Sequence, residues 1–510
     1  MALTTRELES KLWRAADILR GQIDAADYKN FIFSMLFLKR LSDRFDEEVE
    51  HAVAVGVSRE TALKDRDEHE FFVPEEARWK ALLGASMNLG EAINVASHQI
   101  EEANAPRLDG VLTGVNWNDE SKLGSPANRE RIIRSLLNHF SELNLRDDNL
   151  RPDGENGAMN VLGDAYEYLI YQFADDAGKK GGEFYTPRSV VRLIVELLQP
   201  HEGMRICDPT FGSGGMLIYT AQYVKDHGGD VRNLVLHGQE RNLGTLAIGK
   251  LNLLLHGLRA ARLEAGDVIA EPQLVDERGR LLSYDRVIAN PPFSLKEWGH
   301  DFAANDPHHR FDRFGAIPPK TKGDLAFLQH MLGVTNAEGM VGVVMPHGIL
   351  FRGGAEGTIR RGIVEADYFE AIIGLAPNLF FGASIPVAIC VLNKRKAPER
   401  KNKVLFVDAA QPGYFRQGKA QNFLDQEHIE KIVAAYRAFE EAERFSHVAD
   451  IEEIRANDFN LNISRYVDTT EPGEVVSVEE VLAQLREAER ERDEAVARMD
   501  KLLAELGYGH

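Results

Sequence analysis

Apolar residues in the first fifty positions recur at the three-to-four-residue spacing of amphipathic helices, with charged residues between them. A second stretch of this kind runs from Arg131 to Leu143. The segment 104–128, which lies between the two, is rich in residues that form turns. The pattern therefore predicts a helical N-terminal domain over residues 1–150.

From about residue 151, short runs rich in Val and Ile alternate with helical patterns, as is typical of a parallel sheet wound with helices. The runs are Arg205–Cys207, Leu234–Gly238, Leu263–Ala265, Arg286–Ala289, Met340–Met345, Phe369–Leu375, Pro386–Leu392 and Val404–Val407. One intervening helix is predicted over Ser189–Leu198, with Thr186 as its N-cap and Pro187 at the first helical position. Residues 151–420 are predicted to form a doubly wound, Rossmann-like α/β domain.

Beyond about residue 420 the strand pattern stops, and residues 421–510 are predicted to be a helical segment. Its last part, Val478–Leu506, is highly charged but carries an apolar seam at alternating spacings of four and three, interrupted only in the middle. Such a seam requires a helical partner. The sequence allows two partners equally: helices of another protein, or the N-terminal helices of the same chain.

Composition limits the possible functions of this 510-residue chain. With 60 Lys and Arg against 80 Asp and Glu, the net charge is -20, so the surface as a whole repels nucleic acid. The two cysteines, Cys207 and Cys390, are too few for a disulfide framework and are expected to be reduced. The apolar run Phe31–Leu38 is too short to span a bilayer, and the N-terminus lacks a secretory pattern. We expect a cytoplasmic protein that does not contact membranes.

The segment Arg205–Leu217 combines an apolar strand with a glycine-rich turn, Asp208-Pro-Thr-Phe-Gly-Ser-Gly-Gly215, that opens a helix. Glycines let a ligand approach the backbone closely, and the start of a helix offers amide donors. The spacing differs from that of the dinucleotide fingerprint, and Asp208 would repel a diphosphate. The carboxylate suits a cationic ligand such as S-adenosylmethionine. The alternative is an ordinary turn between strand and helix.

A second segment, Tyr284–Ser294, runs from a buried strand into Asn290-Pro-Pro-Phe293. Two prolines end the strand and stiffen the loop, so Asn290 is presented at the carboxyl end of the strand, where open α/β sheets bind ligands. The Asn290 side-chain oxygen and the Pro291 carbonyl could accept hydrogen bonds from one amino group attached to a ring or carbonyl. Phe293 would stack on that planar group. The alternative is a Pro-Pro turn capped by asparagine.

These two motifs, preceded by Gly181-Gly-Glu-Phe-Tyr-Thr-Pro-Arg188, resemble those of gamma-type DNA amino-methyltransferases. Among these, the chain is most similar to the methylation subunits of type I restriction-modification systems. Four further segments are similar to that family and extend the resemblance over nearly the whole chain. They are Tyr28–Phe45, Arg313–Lys320, Asp324–His330 and Leu461–Tyr466.

The resemblance implies a set of residues that bind S-adenosylmethionine. They are Glu183, Phe184, Tyr185, Thr186, Pro187, Arg188, Asp208, Gly212, Ser213, Gly214, Glu240 and Asp267. Thr186 would lie near the methionine carboxylate, Asp208 would face the ammonium group, Glu240 would accept from the ribose hydroxyls, and Asp267 would accept from the adenine amine. Glu240 and Asp267 could instead be helix caps or solvated strand ends.

The resemblance also implies the reaction and the partners. Asn290, Pro291, Pro292 and Phe293 would form the catalytic loop that methylates adenine N6 in double-stranded DNA, without a metal ion. The target adenine would be turned out of the duplex into the site. A separate specificity subunit would choose the DNA sequence. A restriction subunit that translocates and cleaves DNA and a second copy of this chain would complete the assembly.

Other functions remain open at the level of sequence. The same loop chemistry serves protein glutamine-N5 methyltransferases, although their aromatic residue is usually tyrosine, and cytosine-N4 methyltransferases, where serine commonly replaces Asn290. A cofactor-sensing assembly subunit with little catalysis is a further alternative. A basic cluster beyond the loop, which would contact DNA phosphate or remain a solvated face, comprises Arg310, Arg313, Lys320 and Lys322.

Overall fold

A computed structural model describes residues 3–20, 23, 25–150, 161–176, 185–380, 385–419, 421–469 and 478–506. The chain divides into two compact units, Met1–Val467 and Asp468–His510. The first unit contains a helical layer and a nine-stranded sheet. The second contains one long helix.

The N-terminal part is helical, as predicted. Its helices are α1 (Thr5–Leu19), α2 (Ala25–Ala54), α3 (Arg59–Ala62), α4 (Trp79–Gly84), α5 (Leu89–Ala103), α6 (Glu120–Leu123) and α7 (Pro126–Ser141). Thr4 and Glu7 form a capping box that starts α1, and Ser125 caps α7 ahead of Pro126. The apolar positions of these helices form one buried core.

Helix α8 (Val161–Asp176) connects this helical layer to the rest of the first unit. Its aromatic residues pack against α2: the rings of Phe33 and Tyr166 are 4.4 Å apart, and those of Tyr28 and Phe173 are 5.3 Å apart. The Tyr166 hydroxyl donates to the carbonyl of Ile248, which belongs to a helix of the sheet region. The helical layer and the sheet region are therefore packed together directly.

All eight predicted apolar runs are strands, and a ninth strand follows them. The strands are β1 (Arg205–Asp208), β2 (Val235–Glu240), β3 (Arg262–Ala265), β4 (Tyr284–Ala289), β5 (Thr335–Pro346), β6 (Phe369–Leu375), β7 (Val387–Asn393), β8 (Lys403–Ala409) and β9 (Ser446–Asp450). They form one sheet in the order β3-β2-β1-β4-β5-β7-β6-β8-β9. Strands β1 to β5 run parallel to one another. Strands β7 and β9 run antiparallel to the strands beside them.

Helices cover both faces of the sheet. They include α9 (Arg188–Leu198), α10 (Gly215–Asp226), α11 (Leu243–Leu255), α12 (His300–Ala303), α13 (Asp324–Val334), α14 (Gly348–Phe351), α15 (Ala355–Glu365), α16 (Gln426–Ala438) and α17 (Ile451–Ala456). Successive residues of a central strand point into different cores, with Ile288 in one and Val287 and Ala289 in the other. The doubly wound α/β fold is thereby confirmed.

Two details differ from the sequence predictions. Pro187, not Thr186, is the N-cap of α9, and the Thr186 hydroxyl instead accepts a hydrogen bond from Asn290 Nδ2 at 3.0 Å. Strand β9 lies beyond residue 420, where the sequence predicts no strand. It is a short strand at the edge of the sheet, next to β8. The domain boundaries near residues 150 and 420 stay predictions.

The second unit contains helix α18 (Val478–Glu505), as its spacing predicts. The described side chains of this helix, from residue 481 onward, are all exposed, including apolar ones that belong to the seam. Leu482, Leu485 and Met499 are 45%, 53% and 52% exposed. Across the described part of the chain, no helix combines the length and the apolar character that crossing a membrane requires.

Candidate active site

A cavity of about 610 Å³ opens at the carboxyl edge of the sheet, where β1 and β4 lie side by side. The chain proceeds from β1 through β2 to β3 on one side and returns with β4 on the other, so the strand order reverses between β1 and β4. Ligands of open α/β sheets bind at such a reversal. Asp208 ends β1 and Asn290 follows β4, and both line the cavity.

The glycine-rich turn forms one wall. Gly214 has a φ of 85°, a left-handed conformation that favours glycine, and it is the N-cap of α10. Helix α11 holds the turn from behind, since the Asn252 side chain donates to the Ser213 carbonyl at 2.9 Å. A Cβ atom on Gly249 of α11 would lie 2.3 Å from the Phe211 ring, so this close packing depends on glycine there as well.

Asp208 is 1% exposed, and one of its oxygens accepts from the Thr210 amide at 3.0 Å. Burial raises the pKa of Asp208 to about 8; the Thr210 hydrogen bond opposes this rise and the nearby Glu240 adds to it. A buried carboxylate is stable only beside a cation or several donors. The cavity wall at Asp208 therefore favours the binding of a positively charged group.

Glu240 ends β2 and connects the glycine turn to the next helix. One carboxylate oxygen accepts from the Gly212 amide at 2.9 Å, and the other accepts from the Asn242 amide at 2.8 Å. Each oxygen can accept a further hydrogen bond. Glu240 can thus be a turn-stabilising residue and still face hydroxyl donors in the cavity.

Asp267 follows β3 and Gly266. Its Oδ1 accepts from the amides of Ile269 and Ala270 at 2.9 and 3.3 Å, while its Oδ2 lies 3.4 Å from Arg241 Nη1. The side chain therefore caps a turn, the structural role that the sequence left open. It also lines the cavity, so a ligand could reach it.

Asn290 has one satisfied group and one unsatisfied group. Its Nδ2 donates to the Thr186 hydroxyl at 3.0 Å, which fixes the orientation of the amide. Its Oδ1 is buried and has no hydrogen-bond partner among the residues that the structure describes. A buried acceptor without a partner is costly, so this atom is prepared for a donor that arrives with a ligand.

The three residues of the loop after Asn290 differ in their surroundings. Pro291 is buried, Pro292 lines the cavity, and Phe293 is half-buried. The rings of Phe293 and Phe380 lie 6.2 Å apart in a T-shaped arrangement. Phe293 packs at the rim of a sheet core and does not line the cavity in this structure.

The segment before α9 completes the cavity. Tyr185 is buried against Tyr171 of α8, with ring centres 5.9 Å apart, and Arg188 Nε lies 3.0 Å from Glu167 Oε2. Burial raises the pKa of Tyr185 well above its usual value. Glu167 neutralises the positive charge of Arg188, so the wall carries little net charge here.

The structure brings most predicted site residues together. Those that line the cavity are Tyr185, Thr186, Arg188, Asp208, Gly212, Ser213, Glu240, Asp267, Asn290 and Pro292. Pro187, Gly214, Pro291 and Phe293 are adjacent to lining residues in the chain but are not part of the wall. Glu183 and Phe184 lie outside the described residues.

Sequence reasoning missed several lining residues. They include Lys29, Asn30, Glu167, Tyr219, Asn242 and Trp298. Lys29 and Asn30 belong to α2, in the helical segment that carries part of the family resemblance. A helical pattern shows which face is apolar but not which polar residue faces a distant sheet.

Arg310 is not available to bind DNA phosphate. Its side chain is 2% exposed and lies 2.8 Å from Asp306, and it donates to the carbonyls of Val268 and Ile269 at 2.8 and 2.7 Å. It also contacts His330 Nδ1 at 3.0 Å. Arg310 thereby fixes the loop after Asp267 to α13, and only the rest of the basic cluster stays a candidate for phosphate contact.

We expect Arg310→Leu to lower the free energy of unfolding by about 3–5 kcal/mol, because Asp306 would be left as a buried charge without its partner. Chemical denaturation measures this change. Lys320→Leu is the control, since Lys320 is 69% exposed and pairs with an exposed Asp301, and it should change stability by less than about 0.5 kcal/mol. An equal small effect of both substitutions would contradict the structural role of Arg310.

Comparisons with known proteins agree with this geometry. The family model described as N-6 DNA Methylase matches residues 157–474, and the model of the HsdM N-terminal domain matches residues 8–140. The chain is 35% identical to the type I restriction enzyme MjaVII methylase subunit of Methanocaldococcus jannaschii, over 97% of this chain and 83% of that protein. It is 32% identical to the HindI methylase subunit of Haemophilus influenzae, over 86% of this chain and all of that one.

A solved structure shows the same fold. The type I restriction-modification methyltransferase subunit from Streptococcus thermophilus superposes with a TM-score of 0.78 at 33% identity, covering 91% of this chain and 100% of that chain.

Proposed function

This chain belongs to the N-6 DNA methylase family, as a type I restriction enzyme methylase subunit that methylates DNA adenine; from this premise we propose that its cavity binds S-adenosylmethionine and a flipped adenine together. The observation that carries the proposal is the unsatisfied Asn290 Oδ1, buried in the same cavity as Asp208. The glutamine-methylating and assembly-only alternatives are not favoured by these relatives.

The chemistry of the wall fits S-adenosylmethionine. Asp208 offers a buried carboxylate that would pair with the ammonium group, and this pairing would lower the raised pKa of Asp208. Thr186 lines the same cavity and would lie near the methionine carboxylate. Glu240 would accept from the ribose hydroxyls and Asp267 from the adenine amine. Gly212 and Ser213 allow close approach of the backbone. The bound cofactor supplies a methyl group on a positively charged sulfur.

Asn290 prepares the amine for attack. In adenine the N6 lone pair is delocalised into the ring, so the amine is a poor nucleophile. Asn290 Oδ1 and the Pro291 carbonyl each accept one N–H, which draws the nitrogen toward tetrahedral geometry. Thr186 holds the Asn290 amide in the orientation that this requires. Positioning of this kind, rather than a strong general base, provides most of the catalysis.

The adenine must leave the duplex to reach the cavity, at a cost of a few kcal/mol. Phe293 offsets part of this cost by stacking on the flipped base. It is half-buried, pairs edge-on with Phe380 and directly follows Pro292, which lines the cavity. Phe327 lines the cavity and offers a second aromatic surface.

The relatives are named as methylase subunits of type I restriction enzymes. We propose that this chain works with a specificity subunit, a restriction subunit and a second copy of itself. Its net charge of -20 supports this division of labour, because an acidic chain binds DNA poorly without a partner. Sequence recognition then lies in the specificity subunit.

The test is transfer of radiolabelled methyl groups to duplex DNA by the chain together with its specificity subunit. Digestion to nucleosides and mass spectrometry identify the product, and N6-methyladenine is expected. A protein substrate containing exposed glutamine is the comparison. Methyl transfer to the protein and none to DNA would contradict the proposal.

Helix α18 is our candidate for docking on the specificity subunit, because its apolar seam is exposed. Deleting residues 475–510 should abolish copurification of that subunit, and Leu482→Glu with Leu485→Glu should weaken it at least about tenfold. Gln484 lies off the seam, so Gln484→Glu should have no effect on copurification. Full copurification with the deleted chain would rule out docking through α18.

A further inference from the structure

The catalytic loop is fastened at its far end to the start of α13. The Ser294 amide donates to Asp324 Oδ1 at 2.6 Å, and the Gly323 amide donates to the Leu295 carbonyl at 3.0 Å. Ser294 has a φ of 53°, a left-handed conformation that costs free energy for any residue other than glycine. The loop therefore adopts this shape only because its surroundings stabilise it.

Asp324 is well suited to provide that stabilisation. It is 1% exposed, and its second oxygen lies 3.6 Å from Arg352 Nη1, which in turn lies 3.4 Å from the buried Glu356. Burial raises the pKa of Asp324, while the Ser294 amide and Arg352 favour its charged form. It is also the first residue of α13, where a negative charge is favourable.

Two glycines make the room that this arrangement needs. A Cβ on Gly348 would lie 2.2 Å from the Arg352 guanidinium, and a Cβ on Gly323 would lie 2.6 Å from the Trp298 side chain. Trp298 lines the cavity and donates from Nε1 to the Pro319 carbonyl at 2.9 Å. The start of α13, the indole and the end of the catalytic loop thus pack as one assembly beside the cavity.

We propose that Asp324 is a positioning residue for adenine methylation: it holds the Asn290–Ser294 loop in the shape in which Asn290 Oδ1 faces the cavity. The inference rests on the proposed function, and it assigns a role to the segment Asp324–His330. Asp324 does not line the cavity, so it acts through the loop and not on the adenine itself.

Asp324→Ala should leave the peptide that covers residues 293–297 less protected in hydrogen–deuterium exchange, because the Ser294 amide loses its acceptor. Single-turnover methyl transfer by the chain with its specificity subunit should slow about tenfold, while the Kd for S-adenosylmethionine should change less than about twofold. Asp324→Asn should recover most of the rate, since its amide oxygen still accepts from Ser294.

Asp367→Ala is the matched control. Asp367 pairs with the buried Lys396 at 2.6 Å and accepts from the Asn402 amide at 3.0 Å, but it precedes β6 at the opposite edge of the sheet. Asp367→Ala should lower the free energy of unfolding. It should not alter the hydrogen–deuterium exchange of the peptide that covers residues 293–297, the rate of methyl transfer or the Kd for S-adenosylmethionine. Unchanged exchange and rate in Asp324→Ala, or an equal loss of rate in Asp367→Ala, would overturn the inference.

The two proposals fail in different ways. A wild-type chain that transfers no methyl group to adenine would refute the proposed function. The exchange measurement would then still decide whether Asp324 holds the loop, because it needs no turnover. A wild-type chain that methylates adenine, combined with an Asp324→Ala chain of equal rate and equal exchange, would refute the positioning role alone.

Discussion

Replacing Asn290 with alanine is expected to reduce adenine methylation about a hundred- to a thousandfold while leaving S-adenosylmethionine bound. The substitution removes the buried Oδ1 that would accept from the N6 amine, and the Pro291 carbonyl alone cannot draw the lone pair out of conjugation. Single-turnover kinetics with saturating cofactor measure the rate. Isothermal titration calorimetry measures the affinity, which should change less than about threefold.

Asn336→Ala is the control for this experiment. Asn336 donates to Asp285 at 2.6 Å at the opposite end of the β4–β5 pair, so its loss should leave the rate within about threefold of wild type. Thr186→Val should have an intermediate effect, because it removes the acceptor that orients Asn290. A wild-type rate in the Asn290→Ala chain would contradict the assigned role of the loop.

The second large effect concerns Asp208 and pH. With its pKa raised to about 8, this carboxyl is mostly protonated in the empty cavity at pH 6 and must ionise to pair with an ammonium group. The Kd for S-adenosylmethionine should therefore fall about twentyfold between about pH 6.0 and pH 7.5. Asp208→Asn should remove most of this dependence and weaken binding about ten- to a hundredfold at pH 7.5.

The same shift affects stability in a defined direction. A carboxyl whose folded-state pKa is raised contributes stability below its unfolded pKa, near 3.8, and loses it as pH rises to about 8. The free energy of unfolding of the Asp208→Asn chain should therefore increase relative to wild type across this range, without ligand. A constant difference between the two chains would show that Asp208 ionises normally.

The sequence indicates the sheet well because buried strands need continuous apolar runs. The eight runs from Arg205 to Val407 are all strands, and their ends place Asp208 and Asn290 at one edge. Strand β9 escaped prediction because an edge strand paired on one side needs only a weak pattern. Its sequence, Ser446–Asp450, alternates too briefly to be distinguished from a loop.

The sequence predicts the site residues that belong to local motifs. It does not predict those whose roles depend on contacts with distant parts of the chain. Closely spaced glycines indicate the glycine-rich turn, and two consecutive prolines indicate the Asn290 loop. The Thr186 hydroxyl looked like a helix cap because the sequence does not show that Asn290 takes it instead. Glu167 and Arg310 acquire their roles from partners far away in the chain, Arg188 for the first and Val268 for the second.

The central claim is that this chain methylates adenine N6 in DNA through Asn290. Modification-sensitive sequencing of the native host genome tests it most directly, with an otherwise identical strain carrying Asn290→Ala as the comparison. We expect N6-methyladenine at a defined target sequence in the unaltered strain and its disappearance in the mutant. Methylated adenine that persists unchanged at every target sequence in the Asn290→Ala strain would contradict the claim.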